Sequence, residues 1–221
     1  MIVILVFLAA LMFLFVGWLV SQSIGVQPWV ASTGAAEIPT RGIQAQPNSK
    51  VALVVLIAVL TSVFALTISA YLIRMELADW RPLPEPHLLW INTAVLALAS
   101  VGMHRAFLKA GRQDRAQAMG GLIFAGICLI LFVFGQMLAW QQLRGLGYFA
   151  ASNPANAFFY LVTGLHVVHI LGGLIAWGCT MRKAMGSTEI AEAQLMVQLA
   201  GIYIHFLLVV WLVLFALLLR T

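Results

Sequence analysis

Six long apolar runs dominate this chain and restrict what it can fold into. They cover approximately residues 2–20, 51–74, 88–108, 119–140, 157–181 and 197–219. A helix rises about 1.5 Å per residue, so roughly 20 residues cross a 30 Å hydrocarbon layer, and each run is about that long. Barrel strands would alternate polar and apolar residues, whereas these runs are apolar all round. The pattern predicts an all-α, polytopic transmembrane helix bundle of about six helices.

The composition agrees with a membrane protein. Hydrophobic residues make up 63% of the 221 residues and charged residues 9%, too few charges to cover the surface of a soluble domain. The net charge is +5, and the charged residues lie between the apolar runs without forming a visible basic face. No nucleic-acid partner is therefore predicted. Cys128 and Cys179 both fall inside apolar runs, which predicts neither a disulfide nor a cysteine metal site.

The runs predict three segments: an N-terminal transmembrane helix at 1–21, a loop at 22–50 rich in Gly and Pro, and a five-helix membrane domain at 51–221. The first run could also be a cleaved signal peptide, which would leave five helices. No Lys or Arg precedes Arg41, so the basic start of a signal peptide is missing. This absence favours a retained helix.

Basic residues in the connections predict the orientation. One side of the predicted bundle carries eight of them, and the other carries four together with the acids Glu76, Asp79 and Glu85. The eight-basic side is expected to be cytoplasmic, in a bacterial inner membrane, with the C-terminus outside. The eight are Arg41, Lys50, Arg105, Lys109, Arg112, Arg115, Arg182 and Lys183.

None of the six runs contains Asp or Glu. Buried carboxylates are the usual proton relays and ion sites of pumps and transporters. Their absence disfavours a stand-alone proton pump or an ion-coupled carrier.

Histidines are the remaining ionisable side chains within the runs. His166 and His169 are three residues apart and share one helix face, and His205 lies in the next run. They could hold a metal ion or haem, or they could bond to neighbouring helices and lipid head groups; the second interpretation is favoured. The run at 157–181 also contains Gly164, Gly172 and Gly173, which predict close packing of that helix.

Four stretches carry a resemblance to a known family. LLWINTAVLALAS (88–100), FGQMLAWQQL (134–143), FFYLVTGLHVVHILGGL (158–174) and IHFLLVVWLVLF (204–215) stand in order and at the right spacing. They resemble subunit III of the haem–copper terminal oxidases, the cytochrome c and quinol oxidases. The resemblance covers roughly residues 50–221, and the fifth-run motif is its most specific part. The family has seven helices, so the resemblance implies a divergent short form whose last five runs match the family's last five helices.

The resemblance implies a non-catalytic subunit with no catalytic, metal or cofactor site in this chain. Haem and copper are expected in the partner subunits I and II of a complex that reduces dioxygen and translocates protons, and phospholipids are expected as further partners. Packing or lipid-contact roles are implied for His166, His169, His205, Arg182 and Lys183. Subunit-interface roles are implied for Asn92, Gln136, Trp140 and Trp211.

The chain departs from the family where the family carries carboxylates. Thr61 or a neighbouring residue, Gln198 and Leu208 stand at those positions, and Ile204 replaces a Trp. A proton-uptake role of those acids is therefore not expected here. Two alternatives stay open: a small subunit III-like component of a nitric oxide reductase, and a haem-binding membrane electron carrier.

Overall fold

A computed structural model describes residues 48–84, 87–112, 114–186 and 190–220. Within these residues the chain forms five helices and no strand, which confirms the all-α prediction. They are α1 (Asn48–Met75), α2 (Leu88–Gly111), α3 (Arg115–Gly145), α4 (Pro154–Gly186) and α5 (Ile190–Leu218).

All five helices are long and apolar enough to cross a membrane. The spans are Ser49–Met75, Leu88–Gly111, Arg115–Gly145, Pro154–Met185 and Gln194–Leu218, so the five predicted spans from 51 to 219 are confirmed. The predicted helix at 1–21 and most of the predicted loop at 22–50 lie outside the described residues; its last three positions, 48–50, are described and form the start of α1.

The chain divides after Ala65 into two compact units. The described part of the first unit is the beginning of α1. There the Thr61 hydroxyl donates to the Ile57 carbonyl at 2.7 Å, and the Ser62 hydroxyl donates to the Ala58 carbonyl at 3.0 Å. Both hydroxyls are therefore satisfied by the backbone of their own helix, as a membrane-spanning segment requires.

The second unit, residues 66–221, contains a ring of four antiparallel helices. Helix α2 packs on α3 and α5, and α4 packs on the same two helices. Large apolar side chains from all four helices fill the centre and are fully buried. They include Leu96, Leu129, Phe132, Ile170, Leu207 and Leu214.

Small residues bring α2 and α3 into backbone contact. A methyl group added at Gly121 on α3 would lie 3.0 Å from the Ala106 amide nitrogen and from the Gly102 carbonyl oxygen on α2. Gly102 faces Ala125 in the same way. Each helix thus offers a small residue every fourth position, the pattern that allows membrane helices to approach closely.

Six basic residues at and beside the 112–114 and 187–189 connections lie at one end of the ring, because successive helices are antiparallel. The Asp114 carboxylate caps α3 by accepting from the backbone N–H of Gln117 at 3.1 Å. Arg115 joins the start of α3 to the end of α4 by donating to the Met185 carbonyl at 2.5 Å. We call this the basic end, formed by Arg105, Lys109, Arg112, Arg115, Arg182 and Lys183.

The opposite end is closed by turns and aromatic rings. Helix α3 ends at Gly145, and the turn that follows contains Gly147, whose φ of +88° favours glycine. Asn153 then donates to the Arg81 carbonyl at 2.7 Å, which ties the 146–153 connection to the one after α1. Tyr71 packs edge-on against Phe158 with ring centroids 5.6 Å apart, so the end of α1 contacts the start of α4.

Candidate functional site: the polar core

Two tryptophan–threonine pairs join helices inside the ring. The Trp211 indole nitrogen on α5 donates to the Thr93 hydroxyl on α2 at 2.9 Å. The Trp140 indole nitrogen on α3 donates to the Thr163 hydroxyl on α4 at 3.0 Å. Both hydroxyls donate in turn to the carbonyl four residues earlier in their own helix, at 2.8 and 2.7 Å. Each hydroxyl therefore donates and accepts once, and no proton is left to relay.

His166 lies at the centre of the ring with no solvent exposure. Its imidazole ring is 5.1 Å from the Trp211 ring and 5.8 Å from the Phe132 ring, measured between centroids. Phe132 and Trp211 also meet edge to face, 5.0 Å apart. One aromatic cluster thus connects α3, α4 and α5, and the His166 ring contacts the other two rings within it.

Asn92 and Gln136 form a polar contact across α2 and α3. The Asn92 amide donates to the Gln136 side-chain oxygen at 3.4 Å, and both side chains are buried. Gly135 makes room for this pair, because a methyl group there would overlap the Asn92 side chain. Asn92, Gln136 and Trp211 thus make contacts within this chain, and their predicted subunit-interface roles stay predictions.

The other predicted histidines lie on different surfaces of the ring. His205 bonds through Nδ1 to the Ser100 hydroxyl on α2, and its ring is 6.0 Å from that of His104. His169 bonds through Nδ1 to the Leu165 carbonyl at 2.7 Å. Since a carbonyl only accepts, Nδ1 carries the proton there. The recorded contacts of His205 are to α2, so the structure does not bring it into the cluster that holds His166.

The described residues contain no group of three His, Cys, Asp or Glu placed to hold a metal ion. Arg182 and Lys183 are exposed at the basic end, and Trp140 is half-buried. The predicted lipid contacts of the two basic residues and the predicted subunit contact of Trp140 stay predictions.

Sequence reasoning missed where the tightest packing lies. A methyl group at Gly172 or Gly173 would meet Tyr203 at ordinary contact distances of 3.7 and 3.4 Å. At Gly126 on α3 it would overlap the Trp177 ring instead, whose indole nitrogen donates to the Leu122 carbonyl at 2.8 Å. The available signal was the small pair Ala125–Gly126 between bulky apolar residues in the middle of the run.

The protein-family comparison assigns these helices. The family model described as cytochrome c oxidase subunit III matches residues 74–219, about two thirds of the chain. The chain belongs to the cytochrome c oxidase subunit III family. The polar core residues, from Asn92 to Trp211, all lie inside the region that matches the subunit III family model.

Similar proteins carry the same family name. The cytochrome c oxidase subunit 3 of Synechocystis sp. is 30% identical over 184 residues, which cover 80% of this chain and 77% of that protein. The probable cytochrome c oxidase subunit 3 of Mycobacterium tuberculosis is 30% identical over 124 residues, 56% of this chain. The subunit 3 of Thermostichus vulcanus is 31% identical over 130 residues. The matched region spans about three fifths of the mycobacterial protein, 61%.

Together the helices and the family show an integral membrane protein. All five described helices have the length and hydropathy of membrane spans. The subunit III family match covers four of them and the end of α1.

Proposed function

We propose that this chain is the non-catalytic subunit III of a haem–copper terminal oxidase, which stabilises subunit I and holds lipid beside it. Haem and copper then belong to the partner subunits I and II. The complex reduces dioxygen and translocates protons, and this chain lies in a bacterial inner membrane with its C-terminus outside. The predicted N-terminal helix at 1–21 and the loop at 22–50 precede the five-helix domain at 51–221.

The observation that carries this proposal is the neutral polar core of a family member. None of the five described spans contains Asp or Glu. The buried polar side chains are amides, hydroxyls and one imidazole. Three side-chain hydrogen bonds, Asn92–Gln136, Trp140–Thr163 and Trp211–Thr93, join neighbouring helices. Such groups fix the geometry of a helix bundle. A proton relay would need an ionisable chain through the core.

Copurification tests the assignment directly. The tagged full chain is extracted from membranes in a mild detergent, and its partners are identified by mass spectrometry. The proposal expects subunits I and II of a haem–copper oxidase. Recovery with nitric oxide reductase subunits would replace it with that alternative. A Soret absorption band from the separated chain would overturn it in favour of the haem-binding electron carrier.

A substitution at His166 separates support from catalysis. His166→Ala removes a ring from the cluster with Phe132 and Trp211, so we expect weaker retention of this chain in the complex. Turnover per assembled complex is expected to stay within a few-fold. His87→Ala is the matched control, because His87 is exposed in the connection before α2. Loss of turnover with assembly intact would contradict a non-catalytic role.

A further inference from the structure

A groove of about 420 Å³ runs along the outer face where α2 meets α3. Arg105, Lys109 and Gln117 line it toward the basic end, and Leu98, Val101 and Phe124 line it toward the membrane interior. We call this the α2–α3 groove. Its volume lies within the range of about 300–1,000 Å³ that is typical of small-molecule sites.

The groove exists because small residues replace bulky ones at the helix contact. Gly102 and Gly121 let the two backbones touch, which places the side chains on either side as walls. Gly120 also lines the groove, and a methyl group there would meet nothing within 4 Å. The space is therefore bounded by helix backbone and is open to an occupant from outside.

The charges at the basic end of the groove favour an anion. Arg105 and Lys109 are four residues apart and so share one helix face, where like charges repel. Neither has a recorded ion pair with a carboxylate among the described residues. The Asp114 carboxylate, at the nearby connection, accepts from the backbone N–H of Gln117, which leaves the Gln117 side chain out of that bond. A phosphate between the two cations would offset their repulsion, and Gln117 adds an uncharged donor from α3.

The apolar part of the groove distinguishes a lipid from a free anion. Leu98, Val101 and Phe124 are all about half exposed, at 49%, 53% and 45%. From Leu98 to Lys109 the groove follows α2 for about 16 Å at 1.5 Å per residue. A soluble phosphate would use only the cations. A phospholipid would use both parts, with its phosphate at the membrane boundary and an acyl chain along the apolar walls.

We propose that the α2–α3 groove binds one anionic phospholipid. Arg105 and Lys109 hold its phosphate, and Leu98, Val101 and Phe124 contact its acyl chain. This inference deepens the lipid-holding part of the proposed function and rests on it. The lipid in this groove contacts α2 and α3, whereas the lipid contacts predicted from the sequence at Arg182 and Lys183 lie on α4.

The charge test uses the full chain in phosphatidylcholine bilayers that contain phosphatidylglycerol, with bound lipid counted by native mass spectrometry. Arg105→Gln and Lys109→Gln are each expected to lower bound phosphatidylglycerol about five-fold. Arg112→Gln is the matched control, because Arg112 is an exposed cation at the same end and does not line the groove. Equal losses in all three variants would overturn the proposal in favour of general surface attraction.

The steric test keeps both cations and fills the groove. Gly120→Phe places a ring in the open space, and we expect it to release the lipid as fully as the charge variants do. Gly178→Phe is the control, because Gly178 also faces open space but lies on α4. If Gly120→Phe retains phosphatidylglycerol, the groove is not the lipid site. If inorganic phosphate alone displaces phosphatidylglycerol from the wild-type chain, the groove is an anion site and not a lipid site.

Partner recovery on the same samples separates this inference from the proposed function. If the charge and steric variants keep both partner subunits and wild-type lipid, only the lipid site is wrong. If wild-type chain carries the lipid in the groove but recovers no oxidase subunit, only the oxidase assignment is wrong.

Discussion

Trp211 donates its indole proton to the Thr93 hydroxyl across 2.9 Å, and this bond joins α5 to α2 inside the membrane domain. Trp211 is fully buried and its ring also contacts His166. The bond closes the ring of helices, because α2 and α5 are the first and last members of that ring. One pair thus connects residues 118 positions apart in sequence.

The Trp211–Thr93 bond is expected to contribute measurable stability. Trp211→Phe and Thr93→Val each remove one partner, and the double-mutant cycle isolates the bond. Membrane hydrogen bonds average about 0.6 kcal/mol and reach about 1.7, so we expect a coupling free energy in that range. The measurement is the free energy of unfolding of the purified chain in detergent. Additive effects of the two substitutions would show that the bond does not stabilise the ring.

The close packing of the Asn92 side chain against Gly135 predicts that a larger residue at position 135 destabilises the protein. Gly135→Ala would force its new methyl group into the Asn92 side chain, so we expect a loss of about 1–3 kcal/mol in the free energy of unfolding. Gly178→Ala is the matched control on a helix position with open space, where alanine favours the helix by up to about 1 kcal/mol. Similar losses at both positions would contradict the packing argument.

The ion pair at the end of α1 predicts a pH dependence. Arg74 donates to the Asp79 carboxylate, at 2.6 Å for one of two bonds, and this hydrogen bond and the positive charge hold the pKa of Asp79 below its ordinary value. A lowered pKa in the folded state gives stability above the unfolded pKa of about 3.9, and that stability is lost as the pH falls through the folded pKa. Both side chains are near the surface, so the effect is small and decreases with salt.

The Asp79 effect is measured as the difference in unfolding temperature between wild type and Asp79→Asn, from pH 7 down to pH 2. We expect wild type to be more stable at pH 7 and the difference to disappear at the acid end. Glu76→Gln removes another exposed acid of the same connection and serves as the control. A difference that stays constant over the whole pH range would exclude the ion pair as its cause.

The distribution of basic residues predicts the orientation of the membrane domain. In a background without Cys128 and Cys179, Arg112→Cys places a thiol at the basic end and Leu146→Cys places one at the opposite end, both exposed. A membrane-impermeant maleimide added to intact cells is expected to label only Leu146→Cys. Labelling of Arg112→Cys alone would invert the proposed topology.

The sequence by itself determined that this protein consists of membrane-spanning helices, and it located five of them within a few residues. Length and hydropathy decide this, because a backbone in lipid must satisfy its own hydrogen bonds and about 20 apolar residues span the bilayer. The motifs around Asn92, Gln136, His166 and Trp211 also indicated the family. The predicted first helix falls outside the described residues.

Only the tertiary structure decided which polar residues meet. The sequence placed His166, His169 and His205 together as one candidate group, whereas the folded chain packs His166 against Phe132 and Trp211 and turns His205 toward Ser100. Helices that are apolar on every side carry no amphipathic stripe to mark the inward face. The rotation of each helix about its own axis depends on where a glycine leaves room for a side chain of another helix, as at Gly126 and Gly135. Those side chains, on Trp177 and Asn92, lie far away in the sequence.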